Sequence, residues 1–118
     1  MDASDEGYET CTRRAKEMEE KGIHYMTMGV LGTDKEVLKG CGLLISGPRE
    51  GYDLLELSLK KAALEKDYEP CIAYVGASVS AAYTMMVLKG LLTSYEQVLA
   101  EVYGLLLSAG FTNEEVSK

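Results

Sequence analysis

The sequence has only one histidine and three cysteines, which leaves few residues for metal ligation or disulfide bonds. The cysteines at positions 11, 41 and 71 are odd in number and form no CxxC pair, which argues against a disulfide framework or a zinc site. We therefore expect no bound metal. Neither GxGxxG nor GxxxxGK[ST] occurs, so the chain carries no recognisable dinucleotide- or phosphate-binding loop.

Basic residues and long apolar runs are also scarce. Twelve Lys and Arg stand against nineteen Asp and Glu, a net charge of -7, whereas a nucleic-acid surface needs a concentrated basic face. No run of eighteen apolar residues occurs, and the acidic N-terminal segment lacks the features of a signal peptide. We therefore expect a cytoplasmic protein that binds neither nucleic acid nor a membrane.

Hydrophobic residues make up 47% of the sequence, which is enough to form the core of one domain over residues 1–118. Apolar periodicity and turn residues predict six elements along the chain. They are a helix at 7–21, strands at 23–30 and 42–46, a helix at 49–65, a strand at 71–75 and a long helix at 78–108. Helices alternate with short strands, so the predicted class is α/β with a small three-stranded sheet.

Helix ends are marked by characteristic residues. Gly22 and Gly110 each follow a helical stripe, as left-handed C-terminal glycines do. Ser78 or Ser80 is suited to cap the long helix, and Thr112-Asn-Glu-Glu has the pattern of a capping box. Lys66-Asp-Tyr-Glu-Pro has the composition of a turn.

Few polar residues stand out as candidates for chemistry. His24 has no carboxylate or cysteine nearby in sequence, so an ordinary strand histidine is the simpler interpretation. Lys89 is the one charge in the apolar first half of the long helix. A buried amine of lowered pKa and a lysine that extends its amine to solvent are both compatible with that position, and the second is the simpler.

The order of motifs along the chain nevertheless resembles one enzyme family. The motifs are Asp2-Ala-Ser-Asp-Glu-Gly-Tyr, Thr12-Arg-Arg, Lys21-Gly-Ile, Gly29-Val-Leu-Gly, Leu38-Lys-Gly, Ile45-Ser-Gly and Pro70-Cys-Ile-Ala-Tyr-Val-Gly, followed by the long helix. Together they resemble the second half of the cofactor domain of 6-phosphogluconate dehydrogenase and the wider β-hydroxyacid dehydrogenase family. The family's glycine-rich cofactor loop belongs to the first half of that domain, to which the resemblance does not extend.

The resemblance implies a fold. We expect half of a Rossmann-like domain with a small mixed three-stranded sheet, flanking helices and one long C-terminal helix. The segment Gly42 to Ser46 is expected to run against its neighbours, because its connection from Val30 is too short for a helical crossover.

The residues that the resemblance assigns to chemistry are replaced in this sequence. Where the family has Val-Ser-Gly-Gly at a strand end that meets substrate, this chain has Val30 and the remnant Leu31, Gly32 and Thr33. The family's helix motif of a lysine acid/base, an asparagine and a downstream glutamate corresponds to Met85, Leu88, Lys89 and Leu92. Its cofactor-contacting Gly-Gly-Asn corresponds to Ala3, Ser4 and Asp5. A methionine transfers no proton, so these catalytic positions are predicted to be degenerate.

Two functions follow from the resemblance. The first is a catalytically inactive dehydrogenase-derived module, either a degenerate natural paralogue or an engineered or excised fragment, with no cofactor. Such a module is expected to form a homodimer through Leu88, Leu91, Leu92 and Tyr95, because large exposed apolar patches mark interfaces. The alternative is an oxidoreductase fragment that uses Lys89 as its base and NADP as its cofactor, and needs a nucleotide-binding half from elsewhere.

Overall fold

The computed structural model describes residues 1–4 and 6–117, except for the side chains of Asp34 and Glu36. Two compact units make up the chain, Met1–Met86 and Val87–Lys118. The helices are α1 (Tyr8–Glu19), α2 (Asp34–Val37), α3 (Arg49–Ala62), α4 (Ser80–Ser108) and α5 (Asn113–Val116). The strands are β1 (Thr27–Leu31), β2 (Gly42–Ser46), β3 (Glu65–Lys66), β4 (Glu69–Pro70) and β5 (Ile72–Tyr74).

The first unit contains a mixed sheet of order β1-β2-β5. β1 pairs antiparallel with β2, from Thr27 opposite Ser46 to Leu31 opposite Gly42, whereas β2 pairs parallel with β5. The predicted α/β class with a mixed three-stranded sheet, flanking helices and a long C-terminal helix is confirmed. The expectation that residues 42–46 run against both neighbours is wrong for β5, because α3 carries the chain back along the sheet and so permits a parallel pair.

The core of this unit forms where α3 packs on the sheet. Ile45 is fully buried in β2 and Leu43 and Met26 nearly so, and Tyr52 and Ala63 pack with them. The Tyr52 and Tyr74 rings lie 5.0 Å apart, and the Arg49 guanidinium lies 5.3 and 5.2 Å from their centroids. Aromatic and cation–π contacts of this kind hold the start of α3 over the end of β5.

Several elements begin or end at residues other than those predicted. Residues 23–26 are not in a strand, because β2 stops at Ser46 opposite Thr27 and the chain turns at Gly47, with φ of 136°, into α3. α1 spans 8–19 rather than 7–21. The helix predicted for 49–65 ends at Ala62, because Ala63 is extended and bridges Cys41. The long helix begins at residue 80, not 78, and the last strand covers 72–74, not 71–75.

The predicted turn at residues 66–70 is the tip of a hairpin formed by β3 and β4. Its two central residues, Asp67 and Tyr68, have φ of 53° and 67°. Positive φ at both positions suits the right-handed twist of a two-residue hairpin loop, although glycine or asparagine adopts it at lower cost.

The predicted helix ends at glycine are confirmed. Ile23 N–H donates to Met18 O beside Gly22, and Phe111 N–H donates to Leu106 O beside Gly110, the bonds of a Schellman motif. In the second unit, which contains the rest of α4 and all of α5, the Thr112 capping box is also present.

Candidate functional site

The predicted substrate-side segment lies at the end of β1. Leu31 is the last residue of the strand and is half-buried, whereas Gly32 and Thr33 follow it and are exposed. A cavity of about 280 Å³ opens beside them, and Lys39 contributes an amine to its otherwise mainly apolar wall. Its other lining residues are Leu31, Gly32, Gly40, Cys41, Gly42 and Leu64. The cavity can hold a small group, and Lys39 and Cys41 are the titratable residues among those that line it.

Met85, which the resemblance places at the family's lysine position, packs on the same strand. A Cβ added to Gly29 would lie 2.5 Å from Met85 Cγ and 2.9 Å from its Sδ. The thioether therefore fills the space that glycine leaves open over β1, two residues before the strand ends. This contact places Met85 near the predicted substrate-side segment, but as a packing group without a transferable proton.

A buried pair of hydroxyls fixes the first turn of α4 to the sheet. Thr27 Oγ1 and Ser46 Oγ share a hydrogen bond of 2.7 Å, and Ala81 N–H donates to Ser46 Oγ at 2.8 Å. Thr27, Ser46 and Ala81 are all buried. The sequence suggested Ser78 or Ser80 as the cap of this helix. Instead, Ser46 accepts the hydrogen bond from an amide of its first turn, and Ser80 Oγ donates to Ala77 O.

The remaining predicted positions lie further along α4, in the second unit. Leu88 is half-buried, and Lys89 is exposed. Leu91, Leu92 and Tyr95 have exposed fractions of 66%, 53% and 64%. These three side chains are accessible, as the predicted interface requires, and the interface itself stays a prediction.

The N-terminal segment holds an ionic network that the sequence did not indicate. The Asp2 carboxylate accepts hydrogen bonds from Tyr25 Oη at 2.6 Å, from Arg14 Nη1 at 2.7 Å and from Ser4. The bonds from Ser4, followed by that from Tyr25, hold the Asp2 pKa well below its usual range. Burial and the bond to Asp2 raise the pKa of Tyr25. Asp5, the predicted cofactor remnant, lies outside the described residues.

The low Asp2 pKa makes the network's contribution to stability depend on pH. A depressed carboxyl pKa stabilises the fold above the unfolded-state value of about 3.9, and the contribution disappears as pH falls towards the folded-state pKa. We expect Asp2→Asn to lower the free energy of unfolding at neutral pH by at least about 1 kcal/mol, the net effect of a hydrogen bond to a charged group. The difference from the unmodified protein should shrink below about pH 4.

Urea unfolding of both proteins at a series of pH values measures this difference. Asp53→Asn is the control, because Asp53 pairs with Arg49 at 2.7 Å on an exposed helix surface, where such pairs contribute little. A gap between unmodified protein and Asp2→Asn that is the same at neutral and at strongly acidic pH would contradict the linkage.

The part of the chain that the structure describes contains neither a cluster of metal-ligating side chains nor a helix suited to cross a membrane. No three His, Cys, Asp or Glu side chains there are close enough to hold an ion. None of the described helices combines the length and apolarity needed to span a bilayer. The expected cytoplasmic location stays a prediction.

Comparison with known proteins identifies the family. Residues 1–76 match the family described as the NAD binding domain of 6-phosphogluconate dehydrogenase. The chain belongs to this family. The resemblance noted in the sequence is thereby confirmed for the 6-phosphogluconate dehydrogenase NAD-binding domain, whereas the loss of catalytic residues stays a prediction.

Individual relatives agree with this assignment. A 6-phosphogluconate dehydrogenase of Spinacia oleracea is 35% identical over 119 residues, which cover 100% of this chain and 25% of the spinach protein. The Plasmodium falciparum 6-phosphogluconate dehydrogenase structure matches with a TM-score of 0.80 and 30% identity, over 89% of this chain and 22% of that one. The Bacillus cereus imine reductase, at 17% identity and a TM-score of 0.80 over 96% of this chain and 38% of its own, shares the fold alone.

The chain therefore spans about a quarter of the length of the curated 6-phosphogluconate dehydrogenases that it matches. Its fold corresponds to part of the Rossmann-like domain of these enzymes, as the sequence predicted.

Proposed function

We propose that the chain is part of an NADP-dependent oxidoreductase of the 6-phosphogluconate dehydrogenase type. It would act with a nucleotide-binding half that carries the glycine-rich loop this sequence lacks. The observation that carries the proposal is the match of the entire chain to 6-phosphogluconate dehydrogenase at 35% identity. The related Plasmodium falciparum structure, whose fold the chain shares, is described in complexes with NADP+ and with 6-phosphogluconate.

In this proposal the residues of the chain have distinct roles. Leu31, Gly32 and Thr33 form the substrate-side strand end, and Asp5 stands where the family contacts cofactor. Lys89 is the acid/base, because it is the only titratable residue among the four positions of the helix motif. The other three, Met85, Leu88 and Leu92, have no proton to exchange.

A second function is favoured by the position of Met85. Its side chain is packed on Gly29 and has no proton to transfer, which supports a catalytically silent module that keeps the fold. In this second proposal the module binds no cofactor. Leu91, Leu92 and Tyr95 are more than half exposed, which supports self-association of such a module through this part of α4, together with Leu88.

Cofactor binding and turnover distinguish the two functions. The chain, alone and mixed with the nucleotide-binding half of a family member, is titrated with NADP by calorimetry and assayed for NADPH formation from 6-phosphogluconate. If Lys89 transfers the proton, Lys89→Met should lower the turnover number at least about 100-fold, the usual contribution of a general acid or base. Lys66→Met, in the exposed hairpin, is the matched control and should leave turnover unchanged.

Absence of NADP binding and of turnover in both samples would refute the oxidoreductase proposal. Light scattering then tests the second function. Self-association through α4 would be refuted by the mass of a single chain at high concentration, and equally by a larger mass that does not change when Leu91 and Tyr95 are replaced by aspartate.

A further inference from the structure

The outer face of α3 carries two leucines that the fold of the first unit does not bury. Leu54 and Leu57 have exposed fractions of 80% and 77%. The helix buries its opposite side, where Tyr52 packs in the core and Leu59 packs against it. Single exposed leucines are common on protein surfaces, whereas neighbouring ones that form a contiguous patch mark interaction sites.

The two leucines lie on a narrow stripe that begins with an acid and ends with a base. Glu50, Leu54, Leu57 and Lys61 follow one another at spacings of four, three and four residues. At 3.6 residues per turn they fall within about 60° of one another around the helix axis. This alternation is the one that produces a helix–helix seam in coiled coils.

The charges at the two ends of this stripe differ from those beside it. Asp53 pairs with Arg49 at 2.7 Å, and Lys60 pairs with Glu56 at 3.0 Å, so the flanking charges are compensated within α3. Within the described part of the chain, no ion pair joins Glu50 or Lys61 to another side chain. The stripe therefore offers one unpaired negative and one unpaired positive charge at opposite ends.

The order of these four residues is self-complementary under a two-fold rotation. When two α3 helices lie antiparallel about a point midway between positions 54 and 57, Leu54 of each copy faces Leu57 of the other. The same rotation brings Glu50 of each copy opposite Lys61 of the other, because both pairs are centred on the same point of the sequence. A parallel arrangement would instead place like charges together at both ends.

We propose that this stripe is a docking surface for a second copy of the same chain, which binds through an antiparallel pairing of the two α3 helices. Ser58, beside the stripe, is small and leaves room for the helices to approach to the usual interaxial distance of about 8–10 Å. The surface is independent of α4 and of any catalytic function. Two leucines per copy make an interface below about 1,200 Å², so the association is weak and depends on concentration.

Charge reversal tests the pairing by sedimentation equilibrium over a concentration series. Glu50→Lys alone places lysines at both ends of the stripe, and Lys61→Glu alone places glutamates there. Each should raise the dissociation constant at least about tenfold, because two attractive pairs become repulsive. An equimolar mixture of the two variants should associate again, as should the double variant Glu50→Lys/Lys61→Glu, because both restore opposite charges across the seam.

Leu54→Asp should abolish the association, whereas Leu38→Asp, at another highly exposed leucine outside α3, should not change it. Circular dichroism verifies that each variant is folded. The proposal is overturned if the unmodified chain does not associate. It is also overturned if Leu54→Asp leaves the dissociation constant unchanged, because the chain then associates through another face. It is equally overturned if neither the mixture nor the double variant recovers association, since the contact is then not a two-fold antiparallel pair.

Discussion

Replacing Ser46 with alanine is expected to lower the free energy of unfolding by about 2–4 kcal/mol. The serine hydroxyl bonds to Thr27 Oγ1 and accepts from Ala81 N–H, and all three residues are buried. Alanine leaves both partners without a bond in a site that water does not reach, and an unsatisfied buried polar group costs about 1–3 kcal/mol. Chemical denaturation, followed by circular dichroism, measures the loss.

A matched control and a double variant test whether the loss comes from the unpaired buried partners rather than from the removal of a hydroxyl in general. Ser94→Ala removes an exposed hydroxyl that bonds only within α4, to Gly90 O, and should change stability by less than about 0.5 kcal/mol. Thr27→Val combined with Ser46→Ala should cost less than the sum of the two single changes, because the valine removes one of the groups that alanine leaves unpaired. Strict additivity would show that the hydroxyls do not act together.

A methyl group added at Gly29 should destabilise the fold by about 1–3 kcal/mol, the usual cost of overpacking. Its Cβ would lie 2.5 Å from Met85 Cγ and 2.9 Å from Sδ, and the nearer atom is in the middle of the methionine side chain rather than at its end. Relief therefore requires a new Met85 rotamer or a displacement of α4 from the strand. Thermal unfolding of Gly29→Ala measures the effect.

Shortening Met85 should reverse much of this loss. In the background of Met85→Ala, the change Gly29→Ala should cost less than about 0.5 kcal/mol, since the overlapping atoms are gone. Gly104→Ala is the control, because a Cβ there meets nothing within 4 Å and should stabilise the helix by about 0.5–1 kcal/mol. Equal costs of Gly29→Ala with and without Met85 would mean that the contact does not limit the approach of helix and strand.

Local patterns predicted the elements well where neighbouring residues decide the conformation. The strand Gly42–Ser46 has the predicted bounds, and the glycines at 22 and 110 end helices as expected. α3 begins at the predicted residue 49, and β1 ends one residue after the predicted position 30. The errors lie where tertiary pairing decides: residues 23–26 have strand composition, but β2 turns away at Gly47 before it can pair with them.

The candidate site was predicted less completely. Its positions came from a family resemblance that covers short motifs, and the comparisons support that family. The sequence could not show that Met85 packs on Gly29, because the contact joins residues far apart in the chain. It likewise missed Ser46, whose partners are at positions 27 and 81, and Asp2, whose partners include Arg14 and Tyr25. The only local indication of the role of Ser46 was that a polar residue follows the apolar run 42–45.

The Ser46 hydroxyl also bears on the order of events during folding. β1 and β2 are separated by a short connection, so their antiparallel pairing closes a small loop, whereas pairing of Leu43 with Ile72 closes a much longer one. Closing a longer loop costs more chain entropy, so contacts between distant parts of the chain tend to form later in folding. Ala81 lies 35 residues from Ser46 along the chain, so we expect their hydrogen bond to form late in the folding of the first unit. A contact that forms after the rate-limiting step slows unfolding without speeding folding, so we expect Ser46→Ala to raise the unfolding rate more than it lowers the folding rate.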